Sequence, residues 1–170
     1  MGTPSKKLTK LRGLLGKKGY TNTGVGKKII GDSGEFLTEA LLDDINIPWI
    51  KTVQHENVYS SELKKNRVAR PDYICRIDEC NFFLDSKNLS SSGKNDNLIS
   101  FSIRKNELLR LKNAEDFFKI EVVIVVWNRT DTEFTYAFAE FNTFSREKTI
   151  NGCSCLEGDF NKDEFYVLKL

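Results

Sequence analysis

The longest apolar run in the chain is Ile120 to Trp127, read I-E-V-V-I-V-V-W. Near-continuous β-branched sequence, rather than alternation, marks a strand covered on both faces and therefore central to its sheet. Just upstream, Leu108, Leu111, Ala114 and Phe118 recur at helical spacing, and Ser100 or Ser102 is placed to cap a helix running to about Phe117. Further upstream, Tyr73 to Ile77 and Asn81 to Lys87 suit a pleated, half-buried surface, and Asp78-Glu79-Cys80 breaks them into a hairpin. Strand, helix, strand implies a right-handed crossover. The 120–127 strand is therefore expected parallel to one arm of the hairpin, with the 103–118 helix packed across the sheet.

The remaining pattern adds elements at both ends. A helix capped by Asp32 or Ser33 is predicted to run to about Asp44, with Phe36, Leu37, Ala40 and Leu41 as its apolar stripe. Ile47 to Val53 reads as a strand, which Pro48 assigns to an edge or a strand beginning. Phe134 to Ala139 and Phe165 to Leu168 add two more. Polar loops are expected over Gln54–Ala69, Leu89–Asn97 and Asn151–Asp163, and a short helix or turn over Phe141–Lys148. The predicted class is α/β, a mixed central β-sheet flanked by helices.

Composition narrows the class without changing it. At 170 residues, 39% apolar and 29% charged, the chain is of ordinary globular make-up and of one-domain length. No apolar run approaches the roughly 20 residues of a membrane helix, and the N-terminus lacks a secretory pattern, so a cytoplasmic site away from membranes is expected. Cys75, Cys80, Cys153 and Cys155 lack paired zinc spacing; free thiols are the simpler account, with a Cys153-Ser154-Cys155 metal clip as the alternative.

Charge divides the chain into an arm, residues 1–30, and a body, residues 31–170. The arm carries Lys6, Lys7, Lys10, Arg12, Lys17, Lys18, Lys27 and Lys28 and no acid, so it is +8, whereas the net charge of the whole is only +2. Such an arm either tracks a phosphate backbone or serves as a solubilising tail. Gly24-Val25-Gly26-Lys27-Lys28 is not a nucleotide phosphate loop, because Thr21 stands where that loop needs glycine and Lys28 where it needs Ser or Thr.

Candidate chemistry lies on the hairpin. The period of two puts Phe83, Asp85 and Lys87 on one face of the second arm, while Asp72, after Pro71, sits at the mouth of the first. The hairpin can bring Asp72 beside Asp85, and two converging carboxylates can share a hard divalent cation, with a lysine nearby to hold water or offset phosphate charge. Glu35 and Glu39, one turn apart on the first helix, compete to add a third carboxylate. Arg104 and Lys105, near the start of the second, either meet phosphate or form a solvated face. His55, Tyr59, Lys64, Lys65 and Arg67 fall in the loop before Asp72, a candidate substrate contact in which the histidine is read as a bystander.

Pro71-Asp72, twelve intervening residues and Asp85-Ser86-Lys87 resemble the PD-(D/E)XK nuclease superfamily, which includes restriction endonucleases and archaeal Holliday-junction resolvases. The tripeptide is D-x-K where many members have E-x-K, and the resemblance runs from about Gly31 to Val126. It implies a restriction-endonuclease-like core and a metal-dependent endonuclease that hydrolyses DNA phosphodiester bonds. It further implies Mg²⁺, with Mn²⁺ as a substitute, held by Asp72, Asp85 and the Ser86 carbonyl. Catalysis would involve Lys87 and a first-helix glutamate, for which Glu35 fits the spacing best. A homodimer would supply two sites for duplex or junction DNA. An RNA-cleaving enzyme on the same core and a catalytically inactive nucleic-acid-binding module are the alternatives.

Overall fold

The computed structural model describes residues 34–52, 59–88, 91–95, 97–129 and 134–168. The basic arm, the predicted caps Asp32 and Ser33, and His55 lie outside the described residues.

Helix α1 (Gly34–Asp44) precedes the short strand β1 (Trp49–Lys51), helix α2 (Ser61–Lys65) and the hairpin β2 (Tyr73–Ile77) and β3 (Cys80–Asn88). Strands β4 (Ser91–Asn95) and β5 (Leu98–Arg104) lead into α3 (Lys105–Phe118), followed by β6 (Val122–Arg129), β7 (Phe134–Ala139), β8 (Phe144–Ile150), β9 (Cys153–Asn161) and β10 (Tyr166–Val167). A six-stranded sheet has the order β1-β2-β3-β6-β7-β10, and a four-stranded sheet the order β4-β5-β9-β8. As the crossover rule requires, β6 is parallel to β3, pairing Asp85 with Ile124 and Lys87 with Val126. The other pairs of the large sheet are antiparallel.

The apolar run owes its unbroken character to two cores, one on each face of this sheet. Val123, Val125 and Trp127 face α1, where they meet Leu37, Leu41, Leu42, Tyr73, Phe82 and Leu84. Val122, Ile124 and Val126 face α3 and the small sheet, against Phe83, Leu108, Leu111, Phe101 and Phe160. All six are essentially inaccessible, and fully burying one such aliphatic side chain contributes roughly 1.5–3 kcal/mol. A charged residue in place of any of these six would therefore disrupt the core that its position faces.

Several expected elements take another form. Phe36 is half exposed, because the inward face of α1 is Gly34, Leu37, Thr38, Leu41 and Leu42, and Phe36 lies one residue off it. The long polar loop before Asp72 contains α2, whose N-cap Ser60 accepts from the Leu63 N–H at 3.3 Å. Ser100 and Ser102 are not helix caps. They alternate with Phe101 and Ile103 along β5, and Ser100 Oγ donates to Asp159 on β9 at 2.5 Å.

The segments read as loops over 89–97 and 151–163, and as a helix or turn over 141–148, supply β4, β9 and β8 instead. After a short 3₁₀ turn at Phe141–Thr143, β8 and β9 join through Asn151-Gly152, with Ile150 opposite Cys153. Both turn residues have positive φ, 49° and 76°, as a two-residue hairpin turn of this handedness requires. The outward face of this sheet is polar: Arg146 and Lys148 pair with Glu157 at 2.7 Å each, and Arg146 also pairs with Asp159 at 2.6 Å.

Candidate active site

The hairpin register decides where the acidic residues meet. Tyr73 pairs with Leu84, so Asp72, one residue before β2, lies beside Asp85. Asp72 Oδ2 accepts the Ser86 N–H at 2.8 Å, which ties the mouth of the hairpin to the second arm. The backbone of Asp72 is held from the other side, its carbonyl accepting the Thr52 N–H at 2.8 Å.

Asp85 is only 3% exposed. Its Oδ2 is paired with the Lys87 ammonium. Burial pushes the Asp85 carboxyl up to about 7; the Lys87 charge opposes this and the Asp72 charge adds to it. Asp72 is raised as well, chiefly by burial, while the Ser86 N–H and the Lys87 charge favour its anion. A buried carboxylate with a second one beside it is costly in isolation and suited to a hard cation.

Lys87 has a second partner that sequence reasoning missed. Glu107, in the first turn of α3, places Oε1 2.8 Å from Lys87 Nζ. Burial disfavours the ammonium, yet Asp85 and Glu107 outweigh it and raise the lysine's pKa. No local signal marked Glu107, because its approach depends on how α3 crosses the sheet.

Glu35 and Glu39 both lie on the α1 side of the site, held by one cation: Lys51 Nζ is 2.9 Å from Glu35 Oε2 and 2.9 Å from Glu39 Oε1. Tyr73 donates its hydroxyl to the Glu35 carbonyl at 2.9 Å and to Glu39 Oε1 at 3.2 Å. The Glu35 charge is among those that raise Asp72.

A close approach sets the depth of α1. A Cβ on Gly34 would stand 2.9 Å from Ser86 Oγ and 3.2 Å from both Asn88 Cβ and Trp127 Cδ1. The Thr38 hydroxyl accepts the Trp127 Nε1–H at 2.9 Å and lies 2.9 Å from Ser86 Oγ and 2.8 Å from the Gly34 carbonyl. Glycine and threonine thus let the helix rest on the residue between Asp85 and Lys87.

The structure brings Asp72, Asp85 and Lys87 together, with Glu35 at their margin. Among the described residues, no group of three or more His, Cys, Asp or Glu side chains is arranged to hold a metal ion, so no third carboxylate joins Asp72 and Asp85 in a preformed cluster. Arg104 is exposed at the start of α3, and Lys105 is engaged by Glu147 at 2.5 Å. Cys75 is buried and its thiol pushed up to about 12 by burial, as suits a small apolar strand residue. None of the described helices is long and apolar enough to cross a membrane.

The fold is α/β, in which a mixed central sheet carries α1 on one face and α3 on the other. No protein-family model matches the chain, and no curated protein matches it. Among solved structures, that of Hjc from Archaeoglobus fulgidus, a Holliday junction resolvase from an archaeal hyperthermophile, is similar over 81% of this chain and 91% of the other. The identity is 10% and the TM-score 0.47.

Proposed function

We propose that the chain is a metal-dependent endonuclease that hydrolyses phosphodiester bonds in DNA. The observation that carries this reading is the convergence of Asp72, buried Asp85 and Lys87 at one end of the central hairpin. A structural ion pair would not need a second carboxylate beside it.

Asp72, Asp85 and the Ser86 carbonyl are the proposed ligands of Mg²⁺ or Mn²⁺, since hard oxygen donors suit these cations. When bound, such an ion polarises a phosphodiester and lowers the pKa of a bound water. The chain's own residues supply the rest. The Ser86 N–H fixes the orientation of the Asp72 carboxylate. Lys87, steadied by Asp85 and Glu107, holds the attacking water in line and offsets charge gathering on the phosphate oxygens. Glu35 orients water at the edge of the site. The basic arm, with Arg104, tracks the DNA backbone, and two copies of the chain supply the two cuts that a duplex or junction needs.

The test is a panel of supercoiled plasmid, linear duplex, four-way junction and RNA, each with Mg²⁺, Mn²⁺ or EDTA. Metal-dependent cutting of DNA that D85A abolishes is the expected result. Cutting confined to RNA would move the substrate, and no cutting of any substrate would overturn the enzyme reading.

A further inference from the structure

We propose that the Lys51 ammonium takes the place a second divalent cation would otherwise hold between Glu35 and Glu39, so that each chain binds a single catalytic metal ion. This rests on the reading of Asp72 and Asp85 as the ligands of that ion.

The position of Lys51 follows from sheet register. Lys51 pairs with Tyr73 across β1 and β2, so both side chains leave the same face of the sheet, toward α1. A slip of one residue would send them to the other face. Trp49, two residues before Lys51, packs edge-on against Tyr73 with ring centroids 5.6 Å apart, and its Nε1–H donates to Asp43 at 2.8 Å. β1 is thereby fastened to β2 and to α1, and Lys51 is presented to the glutamates by a braced strand.

Lysine offers three N–H donors and no acceptor. Two are directed at Glu35 and Glu39, at 2.9 Å each, and the Lys51 charge also acts on Asp72. With Lys51 present the group of Glu35, Glu39 and Lys51 has one net negative charge; without it, two. A divalent ion entering here would have to lose part of its water shell and displace a cation already in hydrogen-bond contact. Asp85, by contrast, is 3% exposed, and a divalent ion there would offset the cost of a buried carboxylate. Glu35 remains an outer group, kept by Lys51 from becoming a ligand of the first ion.

Calorimetric titration with Mn²⁺ alone, without nucleic acid, tests this. Wild type is expected to bind one ion per chain, K51M two, and K51R one, because arginine restores the charge. In D72N/D85N the wild-type ion should be lost, whereas in the K51M background one ion should remain. Two ions on wild type, or one ion on both wild type and K51M, would overturn the proposal. If wild type binds none and K51M binds one, exclusion by Lys51 stands and the Asp72–Asp85 reading fails; if neither binds, both fall. K51Q serves where K51M does not fold, judged by its melting transition.

Discussion

Glu107 Oε1 on α3 lies 2.8 Å from Lys87 Nζ on β3, on a lysine that also pairs with Asp85. Lys87 is therefore held from two elements that are distant in sequence, and its direction depends on the seating of the crossover helix. Replacing Glu107 by Gln should keep the fold and the metal affinity while slowing cleavage by about 10- to 100-fold, in line with loss of a group that fixes a charged side chain. K87A should be slower still, and the double variant no slower than K87A, because both act through one contact. Single-turnover rates checked against Mn²⁺ titrations would reveal the pattern. Additive losses would place Glu107 outside this pair.

Asp85 should set a stability cost that grows with pH. Its folded value is raised from the ordinary 3.8 to about 7, so between those values the folded state binds more protons than the unfolded state. Stability then falls as pH rises through that window, by at most about 1.4 kcal/mol per pH unit. D85N carries no such charge. Its melting temperature should match wild type near pH 4 and exceed it at pH 8, with cleavage lost. Added Mg²⁺ should raise the wild-type transition at pH 8 and leave D85N unmoved. A constant difference across pH, measured by thermal denaturation, would contradict the assignment of the cost to this carboxylate.

The seat of α1 should be intolerant of volume and of lost hydrogen bonds. G34A places a methyl 2.9 Å from Ser86 Oγ, and overpacking of this kind costs roughly 1–3 kcal/mol. T38V removes the acceptor of the buried Trp127 Nε1–H, which costs about 1–3 kcal/mol. Both should also lower the cleavage rate, because Ser86 is the contact and lies between Asp85 and Lys87. Urea unfolding midpoints read the first effect and single-turnover rates the second.

The arm gives a prediction independent of the core. If residues 1–30 track phosphate, each lost lysine contact changes the slope of log affinity against log salt by about 0.9 on duplex DNA. Deleting the arm should flatten that slope and weaken binding at low salt. Cleavage at saturating enzyme should persist. Charge reversal at Lys6, Lys7 and Lys10 should reproduce part of the change, and an identical slope in full-length and truncated protein would rule the arm out as the phosphate contact.

The second sheet shows why a local reading fell short. Asn151-Gly152 is a strong hairpin signal, but the segments it joins, F-S-R-E-K-T-I and C-S-C-L-E-G-D-F-N, carry few apolar positions and many charges. Their hydrogen-bonding partners, and the ion pairs of Arg146 and Lys148 with Glu157, are what make them strands. β4, with Ser91, Ser92, Gly93 and Asn95, has still weaker intrinsic preference, and its pairing with β5 decides its form.

By itself the sequence determined the central element, the hairpin and a parallel pairing with one of its arms, since a near-continuous β-branched run and a period of two report burial directly, while the choice of β3 came from the structure. It also determined that Asp85 and Lys87 share a face, because their spacing along one strand fixes it. Tertiary structure alone decided that Asp72 binds the Ser86 N–H, that Glu107 reaches Lys87, and that one lysine on β1 holds both Glu35 and Glu39. Each of these contacts joins residues whose separation along the chain carries no periodic signal. Their distances are set by register and helix seating, and both arise only when the two cores on either face of the sheet are packed.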